Sequence, residues 1–256
     1  MDYTTIRVEH HAREAHVTLN RPPVNVINLS MIDELNVALD KITSNPDVTT
    51  IVFRGAGDKA FSTGVDIKDH TLDKINSMLK SFHHIFRTLA NSDKITVASV
   101  HGYCLGGGME LATFCDFVIA SDSTIFGQPE IKVGCYPPVA AAWLPQKIGL
   151  RRAMEICMLG ENIKAHEALT LGLINKVVPP DELRSATDTL LQNLNALSGT
   201  VLKQTKRALL AGADKPFTTA LDTAENIYLQ ELVKTHDIEE GITAFMQKRK
   251  PEWKHR

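Results

Sequence analysis

The sequence predicts an α/β fold, a layered core of strands and helices followed by a helical C-terminal region. Three observations carry this. Val48 to Phe53 and Ile95 to Val100 are β-branched, apolar and without helical period, so they read as strands buried on both faces. Each leads toward a helical segment and a further strand, giving two strand–helix–strand units in succession. Beyond Pro145 the pattern turns almost wholly helical. The division falls into a core over 1–195 and a helical region over 196–256, of a kind that supports an oligomer.

The elements follow in order. Ile6 and Val8, then Ala15, Val17 and Leu19, alternate around the polar break His10 to Arg13, which predicts a two-stranded hairpin. Pro22 and Pro23 stop the second strand by removing backbone donors. Ser30, with Asp33 three residues on, reads as the cap of a helix whose stripe is Met31, Leu35, Ala38, Leu39 and Ile42. After the Val48 strand, a long loop runs from Gly55 to about His70. Ile75, Met78, Leu79, Phe82, Ile85, Phe86 and Leu89 then recur at helical spacing. The Ile95 strand enters Gly102–Gly108, a short helix spans Met109 to about Phe114, and Phe117 to Ala120 forms the next strand. A short strand over 174–178 interrupts helices at 151–159, 165–171, 181–197, 200–211, 217–235 and 238–248.

Composition excludes several classes. The 256 residues carry 28 Lys and Arg against 30 Asp and Glu, a net charge of −2 that lacks the basic surface for phosphate-backbone binding. No nucleic-acid partner is expected. No apolar run approaches the roughly 20 residues of a membrane span. The start of the chain has neither the basic nor the apolar stretch of a secretion signal, so a cytoplasmic location is expected. The four cysteines lack any C-x-x-C pair and read as reduced, small apolar residues. The histidine doublets His10-His11 and His83-His84 lack helical metal spacing, and no metal site is expected.

Gly55-Ala56-Gly57-Asp58-Lys59-Ala60 follows a predicted strand and fits G-x-G-x-x-A. The dinucleotide fingerprint also needs a helix opening on those glycines, and Phe61 to Asp66 is loop-like instead. Gly106-Gly107-Gly108 does open a helix after a strand. Two readings stand: a tight turn for close packing, or backbone N–H groups presented to an oxygen gaining negative charge. Glu110 follows in an otherwise apolar helix, where burying the charge costs several kcal/mol unless it is paired, so its presence there calls for a reason. It reads as a structural carboxylate or as a proton-handling group. Glu130, in Gly127-Gln128-Pro129-Glu130, reads alone as a loop residue. Together with Glu110 beside an oxyanion site it forms a set for acid–base work on an activated acyl group.

Three ordered segments, Ala60 to Lys68, His101 to Leu111 and Phe126 to Glu130, closely resemble the enoyl-CoA hydratase/isomerase (crotonase) superfamily. The likeness begins at Asn20-Arg21-Pro22 and reaches the stretch Ala244 to Pro251. It implies a crotonase-type spiral of ββα units whose helical C-terminal region forms trimers or pairs of trimers. It further implies an acyl-CoA substrate, with CoA as part of the substrate and no separate cofactor. The resemblance places thioester-binding N–H groups on Val65 and Gly107, and the water-activating glutamates of hydratases on Glu110 and Glu130. The loop bearing Ser62, Gly64, Asp66, Ile67 and Lys68 resembles the one that wraps CoA. Lys68, and Lys248 from a neighbouring subunit, look like phosphate contacts. Retention of both glutamates favours hydration over isomerisation, decarboxylation or other enolate chemistry. It also argues against an RNA-binding crotonase-like protein.

One departure concerns the stretch after Glu130. Linear-chain hydratases of this family carry a glycine-rich stretch where this sequence has Tyr136-Pro137-Pro138-Val139-Ala140-Ala141-Ala142-Trp143. Tyr136, Pro138, Val139 and Trp143 are expected to wall the acyl pocket and stiffen it, the other reading being simple repacking of the core. With the short Arg21-Pro22-Pro23-Val24-Asn25 loop, this variant resembles cyclohexa-1,5-diene-1-carbonyl-CoA hydratases of anaerobic aromatic degradation. The alternative is a general linear 2-enoyl-CoA hydratase of fatty-acid oxidation.

Overall fold

In the computed structural model, β1 (Ile6–His11) and β2 (Glu14–Leu19) form the expected antiparallel hairpin, with Ile6 opposite Leu19. The structure describes residues 3–256. Met1 and Asp2, part of the stretch read above for leader character, lie outside the described residues. Helix α1 (Leu29–Ser44) buries the expected stripe, but its cap is Asn28 rather than Ser30. Asn28 holds extended backbone after Ile27 and its side-chain oxygen accepts the Met31 N–H at 3.1 Å, so Ser30 is already inside the helix. Strand β3 (Thr50–Gly55) follows, pairing parallel with β2.

The expected loop from Gly55 to His70 contains β4 (Ala60–Ser62) and a 3₁₀ turn at Ile67–Asp69. Three residues are too few for a period-two pattern to register in sequence. Then come α2 (Ile75–Ala90), β5 (Ile95–Val100), β6 (Tyr103–Leu105), α3 (Gly107–Phe114), β7 (Phe117–Ser121) and β8 (Ile125–Gly127). A 3₁₀ turn at Pro129–Val133 leads to α4 (Pro138–Ile148), an element the sequence reading did not assign. Pro138 stands at its first position, where the fixed φ suits a helix start and no backbone donor is lost.

Helix α5 (Leu150–Met154) tightens no further but opens into a π turn at Glu155–Leu159. Strand β9 (Asn162–Lys164), α6 (Ala165–Thr170) and β10 (Lys176–Val178) complete the core elements. The helices α7 (Leu183–Asn195), α8 (Gly199–Gly212), α9 (Phe217–Gln230) and α10 (His236–Met246) follow.

Two sheets organise these strands. The larger has the order β1-β2-β3-β5-β7-β10, the smaller β4-β6-β8-β9. In the smaller sheet β4, β6 and β8 run parallel and β9 closes it antiparallel, each strand only three residues long. Phe53, Phe61 and Phe126 are fully buried on these strands, so both sheets feed one apolar core.

Residues through Ser92 together with Thr96–Thr187 form one compact unit, and Asp93–Ile95 with Asp188–Arg256 a second. Within the second, buried Asp237 accepts the Ser198 hydroxyl and the Lys254 and His255 N–H groups, which ties the chain end to α10. These hydrogen bonds hold its carboxyl below the usual range against the opposing effect of burial. Among the described residues no helix is long and apolar enough to cross a membrane.

Candidate active site

The site is assembled by three close backbone approaches. Ile27 bridges Val65 in parallel fashion, its N–H bonding to Gly64 O and its carbonyl accepting from Asp66 N–H. Because its neighbours make those bonds, the N–H of Val65 faces the opposite side. Gly64 takes φ +92, and a Cβ there would stand 3.0 Å from both Gly107 N and Leu105 O. Only glycine lets the Val65 loop lie against the start of α3. Gly107 begins that helix, where N–H groups have no intrahelical acceptor. Among the described residues neither the Val65 nor the Gly107 N–H has a hydrogen-bond acceptor.

Two carboxylates converge on this pair. Glu110 lies one turn into α3, is 3% exposed, and its Oε1 accepts the Ala140 N–H at 2.8 Å. That donor belongs to the first turn of α4, so the helix dipole also faces the carboxylate. Burial nevertheless dominates and raises Glu110 from 4.5 to about 8, with the Glu130 charge adding to the rise. Glu130 stands on the 3₁₀ turn after β8, with Oε1 only 2.5 Å from where a Cβ on Gly106 would be. The absence of that Cβ lets Glu130 sit over the start of α3. Burial raises its pKa too, and Oε2 is enclosed without a hydrogen-bond partner. Cys157, on the π turn, is pushed up to about 11 by burial and then by the charges of Glu110 and Glu130.

A cavity of about 570 Å³ gathers these groups. Val65, Gly107, Glu110 and Glu130 line it, as do Gly64, Ile67, Tyr136 and Pro138. The other sequence-selected residues lie elsewhere. Ser62 is fully buried behind the loop, donating to Asn25 O at 2.7 Å and accepting the Gly64 N–H at 3.1 Å. Asp66 accepts the Lys68 N–H at 3.1 Å and pairs with Arg21 at 3.4 Å. Lys68 is exposed on the 3₁₀ turn. Lys248 is exposed after α10 in the second unit, with φ +55.

Val139 and Trp143 back the wall without lining it. Trp143 Nε1–H donates to Thr113 O at 2.9 Å, and its ring lies 4.7 Å from Phe114. Trp143 therefore locks α4 to the end of α3. The sequence reading missed the far wall, which α2 supplies through Ile75, Met78, Leu79 and Phe82, and the imidazoles of His70 and His83. Its signal was the width of the α2 stripe, which serves core and cavity together.

The chain matches the enoyl-CoA hydratase/isomerase family over residues 9–256. It is 36% identical over 259 residues to a protein of Rhizobium meliloti (strain 1021) named "Probable enoyl-CoA hydratase", covering 100% of both chains. It is 32% identical over 238 residues to "Cyclohexa-1,5-dienecarbonyl-CoA hydratase" of Thauera aromatica, covering 93% of this chain and 92% of that one. The crystal structure of an enoyl-CoA hydratase from Bacillus anthracis superposes with a TM-score of 0.93 at 27% identity, over 99% of this chain and 100% of that one.

Proposed function

The chain belongs to the enoyl-CoA hydratase/isomerase family, has its crotonase-type fold and is an enzyme of the enoyl-CoA hydratase type, and from that premise we propose how its residues act and on which acyl group. The observation that carries the reading is two enclosed carboxylates of raised pKa facing two unpartnered N–H groups across one cavity. The thioester oxygen accepts hydrogen bonds from Val65 and Gly107, and these strengthen as charge collects on it. Glu110 takes a proton from water, the hydroxide oxygen bonds the β-carbon, and the π electrons move to the thioester oxygen as an enolate. Glu130 delivers a proton to the α-carbon and restores the carbonyl.

Both pKa values are raised, and the carboxylates repel. Glu110, raised to about 8, carries a proton at neutral pH in the empty site, and hydration requires the pair to hold one proton between them. For Glu110 to act as the base, that proton must move to Glu130 when substrate and water bind. The steps draw on these groups and the CoA thioester alone. Lys68, and Lys248 of a neighbouring copy, are assigned to CoA phosphates as exposed cations on mobile stems. Association through the second unit is proposed from its exposed apolar side chains, Phe217 at 80% and Phe245 at 86%. Light scattering that finds monomer alone overturns it.

For the acyl group we propose a cyclic conjugated dienoyl-CoA. Tyr136, Pro137 and Pro138 present a flat, stiff wall, and a rigid ring loses little freedom on entering it. The likeness to the Thauera aromatica hydratase supports this choice. The linear-enoyl reading makes the opposite rate order. Incubation with cyclohexa-1,5-diene-1-carbonyl-CoA and with crotonyl-CoA, followed by product mass, separates them. A mass gain of one water with higher kcat/KM for the cyclic substrate is expected. Faster turnover of crotonyl-CoA overturns the cyclic assignment, and isomerisation or decarboxylation without water gain overturns hydration itself.

A further inference from the structure

The far wall of the cavity, on α2, includes one phenyl ring, Phe82. A Cβ on Gly107 would stand 2.8 Å from Phe82 Cζ and 3.0 Å from Val65 Cγ2. The ring tip therefore lies against the backbone that supplies one N–H of the thioester pair. Phe82 is only 2% exposed, so it gives the cavity an edge rather than a face.

That ring is the first of four in contact. Phe82 and Phe86 stand edge to face, 5.2 Å between centres and 78° between planes. Phe86 meets Phe114 in the same way at 5.3 Å and 87°, and Phe114 lies 4.7 Å from Trp143. The last ring is anchored twice. Trp143 Nε1–H donates to Thr113 O at 2.9 Å, and Lys147 Nζ sits 4.0 Å from the centre of its ring. Phe86 is buried in the core, and Phe114 and Trp143 pack against it. At this density no ring tilts without displacing the next. Trp143, which does not line the cavity, is thus coupled to a ring that does.

We propose that Phe82 is a specificity-determining residue for the acyl group, and that Phe86, Phe114 and Trp143 are positioning residues that hold its ring edge fixed. The inference rests on the cyclic dienoyl reading above and deepens it. The slot then has two stiff borders, the Tyr136 to Pro138 stretch and the Phe82 edge. A conjugated ring presents a flat π face, and an aromatic edge carries the positive part of the quadrupole that such a face attracts. A linear chain gains less from a fixed edge, because it must give up its own rotors to lie against it.

The ratio of kcat/KM for cyclohexa-1,5-diene-1-carbonyl-CoA over crotonyl-CoA reads the effect. Phe82→Met keeps the volume but puts a flexible chain in place of the fixed edge, and should lower the ratio by about tenfold. Phe86→Leu and Trp143→Phe leave every cavity-lining residue in place and should each lower it by about threefold. Trp143→Phe also frees Thr113 O and so reaches Glu110 through α4, an effect that slows both substrates alike and leaves the ratio alone. The double variant Phe86→Leu with Trp143→Phe should fall no further than the larger single change, since both act through one ring. Titration calorimetry on the whole protein repeats the comparison as binding alone, with benzoyl-CoA, whose ring resists water addition, against saturated butanoyl-CoA. The wild-type preference for the flat ring should shrink in Phe82→Met. An unchanged ratio in the folded Phe82→Met variant, whether both rates hold or both fall, overturns the inference, and losses that multiply in the double variant overturn the ring chain. An unchanged ratio beside a wild type that favours the cyclic ester removes this inference alone. A flat-ring binding preference that Phe82→Met abolishes, with no enoyl-CoA gaining water, removes the hydratase reading instead.

Discussion

The Ala140 N–H donates to Glu110 Oε1 at 2.8 Å, so helix α4 begins on the carboxylate buried in α3. Trp143, one turn further along α4, returns the connection by donating to Thr113 O at the far end of α3. The two helices are thereby fixed at both ends of Glu110. The stretch after Glu130, open in sequence to reading as pocket wall or core packing, also holds the first glutamate in place.

Burial of Glu110 makes stability depend on pH in a defined direction. Its carboxyl is raised from 4.5 to about 8, so the folded protein binds this proton more tightly than the unfolded chain. Below pH 4.5 both states are protonated and nothing is lost. Stability then falls as pH rises from 4.5 toward 8, reaching a loss of about 5 kcal/mol above 8 at 1.36 kcal/mol per pH unit. Glu110→Gln removes the ionisation. Calorimetric melting should show the variant level with wild type near pH 4.5 and higher in Tm by about 5 °C or more at pH 8.5. A constant difference across that range contradicts the raised pKa.

The same proton sets the alkaline limit of activity. Above about pH 8 Glu110 loses its proton, and on the proposed mechanism no acid then remains for the α-carbon. The kcat/KM profile should fall on that side, and Glu130→Gln should move the limb because it removes the charge that helps raise Glu110. A profile flat to pH 10 is incompatible with the shared proton.

Gly64→Ala tests the N–H pair. The new Cβ meets Gly107 N and Leu105 O at 3.0 Å and adopts φ +92, so the loop shifts away from α3. Loss of one oxyanion donor should lower kcat by about 10²-fold or more. Gly172→Ala, at φ +74 with nothing within 4 Å of its Cβ, carries the backbone strain without the contact. If both variants lose activity equally, strain explains the effect and the N–H assignment falls.

Much of this was legible in the chain. The strands Val48 to Phe53 and Ile95 to Val100, the stripe of α2 and the glycine-opened helix with Glu110 declared themselves through period and composition. Asn28 displaced Ser30 as a cap because the bridge at Ile27 sets where the helix can start, a long-range fact. The second sheet was silent because its strands of three residues have no period of their own. Trp143 looked like flat pocket surface, but its N–H needed an acceptor, and Thr113 O drew it into the core. In sequence His83 is only half of a doublet without metal spacing. Its place on the cavity wall depends on how α2 faces α3, which no local pattern encodes.

The wall itself predicts a substrate effect. Tyr136 lines the cavity and is 68% exposed, so its removal widens the slot without emptying the core. Tyr136→Ala should reduce the ratio of kcat/KM for the cyclic dienoyl-CoA over crotonyl-CoA by about tenfold, within the 1–3 kcal/mol that one contact supplies. An unchanged ratio places the ring elsewhere in the cavity.

The central claim is that Glu110 and Glu130 together add water to a double bond conjugated with a CoA thioester. Mass spectrometry of the products, with kcat measured for wild type, Glu110→Gln and Glu130→Gln on both substrates, tests it most directly. Wild type should give a product heavier by one water, and each variant, folded and still binding the CoA ester, should be slower by about 10²–10⁴-fold. Near-wild-type hydration by both variants would contradict the account.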